Sequence, residues 1–277
     1  MIKVIEFYKE IRAGSSLPLI VGGSDGHKYV VKLRGSGDGV LANIVEFLSL
    51  QLGRLAQIPV LEPALLWIET GLDQKAGDPE IKELLARSVG INLATKYIEG
   101  ASIYHEQSPL VIDAEQKDNI FLYDLFLLNI DRNAKNSNMI FNRGGLWCLD
   151  YAAAVTMRTV ITGKSHKELA LLKEIKRHLF YRNHINAYSF IRRLKEIPDN
   201  KIGGMIEELP KEWLGGLNMT KETKSVISKR LIEEKNNAAV LLKRLDMLRI
   251  LRRETEEEWR LRTLQNKQAF EQKFGRL

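Results

Sequence analysis

The chain of 277 residues carries 42 lysines and arginines against 35 aspartates and glutamates, for a net charge of +7 and a pI near 9.3, with 44% hydrophobic and 28% charged residues. These are the proportions of an ordinary soluble protein, long enough for two small lobes and an appendage; the basic excess admits nucleic acid, acidic lipid or ATP as a partner without choosing among them. The single cysteine, Cys148, excludes an internal disulfide, no run approaches the roughly 20 apolar residues of a spanning helix, and no charged-then-apolar leader follows Met1, so the expected setting is the cytoplasm, without a membrane.

From the N-terminus, residues 2–11 (IKVIEFYKEI) mix β-branched, aromatic and charged residues and read as a strand or a short helix. A small, flexible stretch containing Gly14, Ser15 and Ser16 follows. Residues 17–33 read as a hairpin, with a Gly-Gly-Ser-Asp-Gly turn between an apolar run and Lys-Tyr-Val-Val-Lys-Leu. Lys32 lies in its second strand, where alternation commonly sends lysines to solvent. The loop Gly35-Ser36-Gly37-Asp38-Gly39 lacks the G-x-x-x-x-G-K-[ST] spacing and reads as a connection. Residues 39–57 carry Leu41, Ile44, Val45, Leu48, Leu52 and Leu55 on one helical stripe; Glu46 falls off it, on a face where charge ordinarily meets water. Residues 64–68 read as a strand, 73–79 as a polar surface insertion, and 91–98 as a strand ending at Glu99-Gly100.

Residues 121–128 (FLYDLFLL) read as an apolar run, too hydrophobic on every side for a surface helix and therefore buried. A polar loop, residues 131–138 (DRNAKNSN), leads into two β-like runs at 139–141 and 146–149, joined by a turn at Asn142-Arg143-Gly144-Gly145; the second delivers Asp150. Phosphoryl transfer asks mainly for positioning: one carboxylate to accept a hydroxyl proton, and oxygen ligands for a divalent cation. Asp131 fits the first task; Asn136 and Asp150 fit the second. Each residue alone is as well explained by a turn or a surface ion pair, whereas the ordered set is specific. Asn138, just ahead of the first β-run, competes with Asn136, which the spacing favours. The five histidines are dispersed and give no support to zinc chemistry.

Through Asn129, Asp131, Arg132, Asn136, Leu149 and Asp150 the segment resembles the catalytic core of the HipA-like kinases, a protein-kinase-related family sharing features with lipid kinases. In that family N-x-D-R-x-x-x-N precedes a hairpin ending in I-D. The resemblance implies a two-lobed α+β protein-kinase-like fold: a small antiparallel-sheet N-lobe (1–99), a mainly helical C-lobe (100–217) and a C-terminal helical extension (218–277). It implies ATP and Mg²⁺ in the cleft and transfer of the γ-phosphoryl group to Ser or Thr of a protein. Asp131 would be the catalytic base and Arg132 a brace of its loop, with Asn136 and Asp150 on the metal. Gly14, Ser15 and Ser16 would cover the nucleotide and accept a regulatory phosphate. Lys32 would reach the phosphates and pair with Glu46, and the stretch containing Lys96 and Ile98 would present its backbone to adenine. His-Arg-Asp, Phe-Gly after Asp150 and a later Ala-Pro-Glu are all missing, so the ordinary protein-kinase signature is absent.

Residues 164–181 and 185–197 read as helices, joined through 199–204 to the segment 208–213. From Thr220 onward a long helix or helical pair is expected, its last part charged and exposed. That stretch is either a packed terminal helix or a docking arm for a second copy or an antitoxin-like partner. The rival readings are a small-molecule or lipid-headgroup kinase, a transferase of AMP, and a non-catalytic module binding nucleic acid or a partner through the basic runs 175–178, 191–195 and 250–253. Those runs sit among acids, which disfavours nucleic acid.

Overall fold

A computed structural model describes residues 1–11, 17–37, 39–217 and 221–274. Strands β1 (Ile2–Glu10), β2 (Leu19–Gly23), β3 (Lys28–Lys32), β4 (Pro63–Ile68) and β5 (Gly90–Lys96) close into a barrel in the order β1-β2-β3-β5-β4. The N-terminal segment is a strand because β2 and β4 take up its backbone groups on either side. The hairpin at 17–33 forms with Leu19 opposite Val31 and Val21 opposite Tyr29. Gly26 makes its turn at a φ of +81°, and the Tyr29 hydroxyl donates to Asp25 at 2.6 Å. The antiparallel sheet needs one correction: β1 and β4 run parallel, Ile2 facing Leu66 and Lys3 facing Trp67. Five strands in a closed ring cannot all alternate in direction, so at least one neighbouring pair must be parallel.

Helix α1 (Gly39–Leu55) follows β3, and α2 (Pro79–Arg87) lies between β4 and β5. Then come α3 (Ala114–Leu127), α4 (Val155–Thr162), α5 (Glu168–Ile175), α6 (Tyr188–Glu196), α7 (Asp199–Glu207), α8 (Lys211–Gly216), α9 (Lys221–Asn236), α10 (Ala238–Ile250) and α11 (Glu256–Phe274). A second sheet of β6 (Ser102–Ile103), β7 (Met139–Asn142) and β8 (Gly145–Cys148) carries the hairpin expected before Asp150. None of the described helices is long and apolar enough to cross a membrane.

Two cores result. The barrel buries Leu19, Val21, Tyr29, Val31 and Leu66, joined by Leu72, Ile81 and Leu85. These last three flank the surface insertion expected at 73–79, within which Ala76 alone is buried. That stretch begins as a 3-10 turn (Leu72–Lys75), and Asp78, accepting from the Glu80 amide at 2.8 Å, then caps α2 with Pro79 in its first turn. The larger core joins Phe47 and Leu48 of α1 to Phe121 and Leu125 of α3, and to Ile227, Leu231, Leu241, Leu245 and Leu248 of α9 and α10. Trp213 of α8 meets Phe47 edge-on, 6.2 Å between ring centres, while its indole N–H donates to Ile91 O of β5 at 2.9 Å. Helix α1 is therefore covered twice, by β4 and β5 and by α4, α7 and α8, and every residue from 43 to 50 is buried.

The connecting segment at 199–204 is helical despite Gly203 and Gly204. Ile202, Met205 and Ile206 bury themselves at helical spacing against α1 and α9, which outweighs about 1 kcal/mol per glycine. Of the helix expected over 164–181 only α5 forms, and the long helix or helical pair expected from Thr220 is three helices among the described residues.

Candidate active site

Lys32 ends β3 with its ammonium between two acids: it donates to Glu46 of α1 and, at 2.8 Å, to Asp150 Oδ1 beyond β8. Glu46 is 4% exposed because α1 is covered on both sides, so the solvated reading of this acid does not hold. Asn43, one turn earlier, donates from Nδ2 to Lys32 O at 3.3 Å and fixes the end of the strand. Burial works against the Lys32 charge, but Glu46 and Asp150 outweigh it and hold the ammonium above the ordinary lysine value. For Glu46 burial wins over the attraction of Lys32 and pushes its carboxyl up. Burial opposes ionisation of Asp150 as well, yet Lys32 holds that carboxyl below the usual range. One cation therefore faces two carboxylates, a net deficit of positive charge at Asp150.

The loop beyond α3 is anchored on an acid inside its apolar helix. Asp124, fully buried, accepts from Arg132 Nε at 2.5 Å, Asn129 Nδ2 at 3.0 Å and His178 Nε2 at 2.9 Å. The Phe180 amide donates to His178 Nδ1 at 3.0 Å, which sets the ring as the neutral Nε2–H tautomer. Burial lowers the His178 pKa, while Asp124, disfavoured by burial, is held below the usual carboxylate range chiefly by Arg132. The rest of the Arg132 fork donates to Ser137 O at 2.8 Å, Asn138 O and Leu149 O at 3.3 Å. One buried guanidinium thus ties the loop of Asp131 to the residue before Asp150, and the Leu149 amide closes the same link on Asn138 O at 2.8 Å. Asn138 and Asp150 both sit in the left-handed region, at φ +46° and +58°. Such strain persists where surrounding contacts over-determine it.

Asn138 Nδ2 donates to Asp131 Oδ2 at 3.2 Å. Asn136 is exposed, reaches only Asp131 O, also at 3.2 Å, and spends its amide N–H on Asn133 Oδ1. The structure therefore gathers Lys32, Glu46 and Asp150 in one group and Asp131, Asn136 and Asn138 in a second, with Arg132 between them. Lys96 is exposed and lies three residues along β5 from Leu93, the residue opposite Lys32; Ile98 is half-buried beyond it. A cavity of about 530 Å³ opens past that stretch, lined by Glu99, Gly100, Leu110 and Phe141 among others, without Lys32, Asp131 or Asp150. Gly14, Ser15 and Ser16 lie outside the described residues.

Sequence reasoning missed Asp124 and His178. The one signal for Asp124 was an acid in an otherwise apolar run; His178 had none. It also missed how α11 meets the loop: Glu256 accepts from Lys135 and, at 2.6 Å, from Arg177, and the Trp259 ring lies under both cations.

Residues 4–239 match the family model described as HipA-like kinase. No curated protein sequence matches significantly. Among solved structures, a Helicobacter pylori proinflammatory kinase, CtkA, aligns at TM-score 0.52 and 12% identity over 89% of this chain and 97% of its own, a likeness of fold. The Golgi casein kinase aligns at TM-score 0.46 and 9% identity, over 90% and 74% of the two chains; with Mn and ADP bound it aligns at 0.47 and 8%, over 90% and 75%. The match of 4–239 spans the barrel, the Asp131 loop, Asp150 and most of the helices that carry them, and on it the chain belongs to the HipA-like kinases.

Proposed function

We propose that this kinase uses ATP and Mg²⁺ to phosphorylate a serine or threonine hydroxyl of a protein, with the barrel plus α1 and the helical remainder acting as the two lobes around the nucleotide. The observation that carries the reading is Lys32 held between Glu46 and Asp150. A lysine so held is aimed and charged for phosphate oxygens, and its second acid is ready to exchange it for a metal.

The donor set fits magnesium. Asp150 and an asparagine amide are hard oxygen ligands, and this cation takes few protein ligands, leaving the rest to phosphates and water. We assign the amide ligand to Asn138 in preference to Asn136, because Asn138 is tied by its backbone to Leu149 and by its side chain to Asp131. When bound, magnesium neutralises charge developing on the transferred phosphoryl group. Asp131 accepts the acceptor's proton on Oδ1, since Oδ2 already takes the Asn138 N–H. Arg132 acts through the loop, holding Asn138 and Leu149 by their carbonyls, and Glu46 aims Lys32.

Incubation with γ-labelled ATP, Mg²⁺ and a serine/threonine protein mixture tests this. Wild type should transfer label, and Asp131→Asn should lose about 10² to 10⁴ in rate. ATP binding without transfer to any protein would refute protein phosphorylation; label moving to a lipid headgroup or small molecule, or an added AMP, would replace it.

A further inference from the structure

Away from the Lys32–Asp150 cluster, a cavity of about 410 Å³ is lined by Lys176, Tyr181, Arg182, Asn183, Arg249 and Arg253. No acidic side chain lines it. Two of its cations are answered nearby: Arg182 by Asp118, with Nε to Oδ1 at 2.8 Å, and Arg249 by Asp246 at 2.8 Å. The other two are not. Lys176 is only 8% exposed, yet it donates to neutral acceptors alone, Leu248 O and, at 3.4 Å, the Tyr181 hydroxyl. Among the described residues neither Lys176 nor Arg253 makes an ion pair. Leu248 lies in the last turn of α10, and a helix C-terminus offers about half a negative charge, too little for two full cations. Burial and then the charge of Arg253 hold the Lys176 ammonium below the ordinary lysine value. A buried ammonium facing like charges is costly unless an anion answers it.

We propose that this cavity binds a phosphate group, distinct from the proposed nucleotide site, with Lys176 and Arg253 pairing its oxygens and Arg249 at its rim. A phosphate dianion supplies the two missing charges, and arginine forks and an ammonium suit its oxygens. The volume admits a phosphate carried on a larger group, either a phosphorylated side chain or a nucleoside monophosphate. The site adjoins the catalytic scaffold in sequence: the next residue, Arg177, holds Glu256, and the one after, His178, holds Asp124.

The test is calorimetric titration and thermal shift of the full chain at fixed ionic strength, with inorganic phosphate, AMP, and a phosphoserine peptide beside its unphosphorylated form. At least one phosphate-bearing probe should bind and raise the melting temperature, and the probe preferred identifies the source. Arg253→Gln, at an exposed position, should keep the melting temperature of the free protein and weaken binding about tenfold. Lys32→Met should leave binding intact, separating this site from the proposed nucleotide site. Absence of binding by every phosphate probe, equal binding by Arg253→Gln and Arg249→Gln, or loss of binding in Lys32→Met would each overturn the proposal.

Discussion

Asp124→Asn isolates the scaffold beneath the catalytic loop. The substitution is nearly isosteric, but it leaves the Arg132 guanidinium, 1% exposed, without its counter-charge and turns one of the two oxygens that accept from Asn129, Arg132 and His178 into a donor. Breaking a buried pair from one side costs about 3 to 5 kcal/mol. Against a typical stability of roughly 5 to 15 kcal/mol, and about 2 to 4 °C per kcal/mol for a chain of this size, the melting point should fall by about 6 to 20 °C. Circular dichroism melts and urea titrations read this directly. The companion Asp124→Leu with Arg132→Met removes both charges, and such swaps range from neutral to stabilising. It should recover part of the stability without recovering phosphoryl transfer, because Ser137 O, Asn138 O and Leu149 O lose their Arg132 donor and Asn129 and His178 lose their acceptor. An Asp124→Asn melting point within about 2 °C of wild type would show that the pair carries no such weight.

Acid should expose the same scaffold by another route. His178 is buried and neutral with its folded pKa below the ordinary 6.5, so below that pH the unfolded chain takes up a proton the folded chain refuses. Stability is complete above 6.5 and drops as pH falls towards the folded value, by up to about 1.4 kcal/mol per pH unit from this group; a urea midpoint unchanged between pH 7 and pH 5 would contradict it. The two asparagines separate by metal dependence: Asn138→Ala should raise the Mg²⁺ needed for half-maximal activity about tenfold or more, and Asn136→Ala should move it little, the reverse order favouring Asn136. Trp259→Ala should lower turnover about two- to fivefold while leaving the KM for ATP in place, because α11 grips Lys135 and Arg177 outside the nucleotide cluster. High salt should shrink part of the matching effect of Glu256→Gln, whose ion pair with Lys135 is solvent-facing.

How far the site can be read from the sequence depends on the distance over which each part is built. The order of helix, Asp-Arg loop, hairpin and second acid is local, and residues 121–150 displayed it. The barrel hairpin and the apolar stripe of α1 were equally legible, because turn glycines and helical spacing act within a few residues. Glu46 was ambiguous, since a stripe marks one covered face and cannot reveal that α7 and α8 cover the other. Spacing favoured Asn136; the turn at Asn133 leaves Asn136 exposed while Asn138 donates to Asp131, the contrast on which the proposal of Asn138 rests.

The sequence by itself determined that this chain carries the loop and hairpin of a HipA-like kinase, because such elements are specified by neighbours along the chain. Only the tertiary structure decided which charges meet: Lys32 with Asp150 across 118 residues, Asp124 with His178 across 54, Lys135 with Glu256 across 121. Those pairings depend on which faces are dehydrated when barrel and helices close together, and no local pattern encodes that.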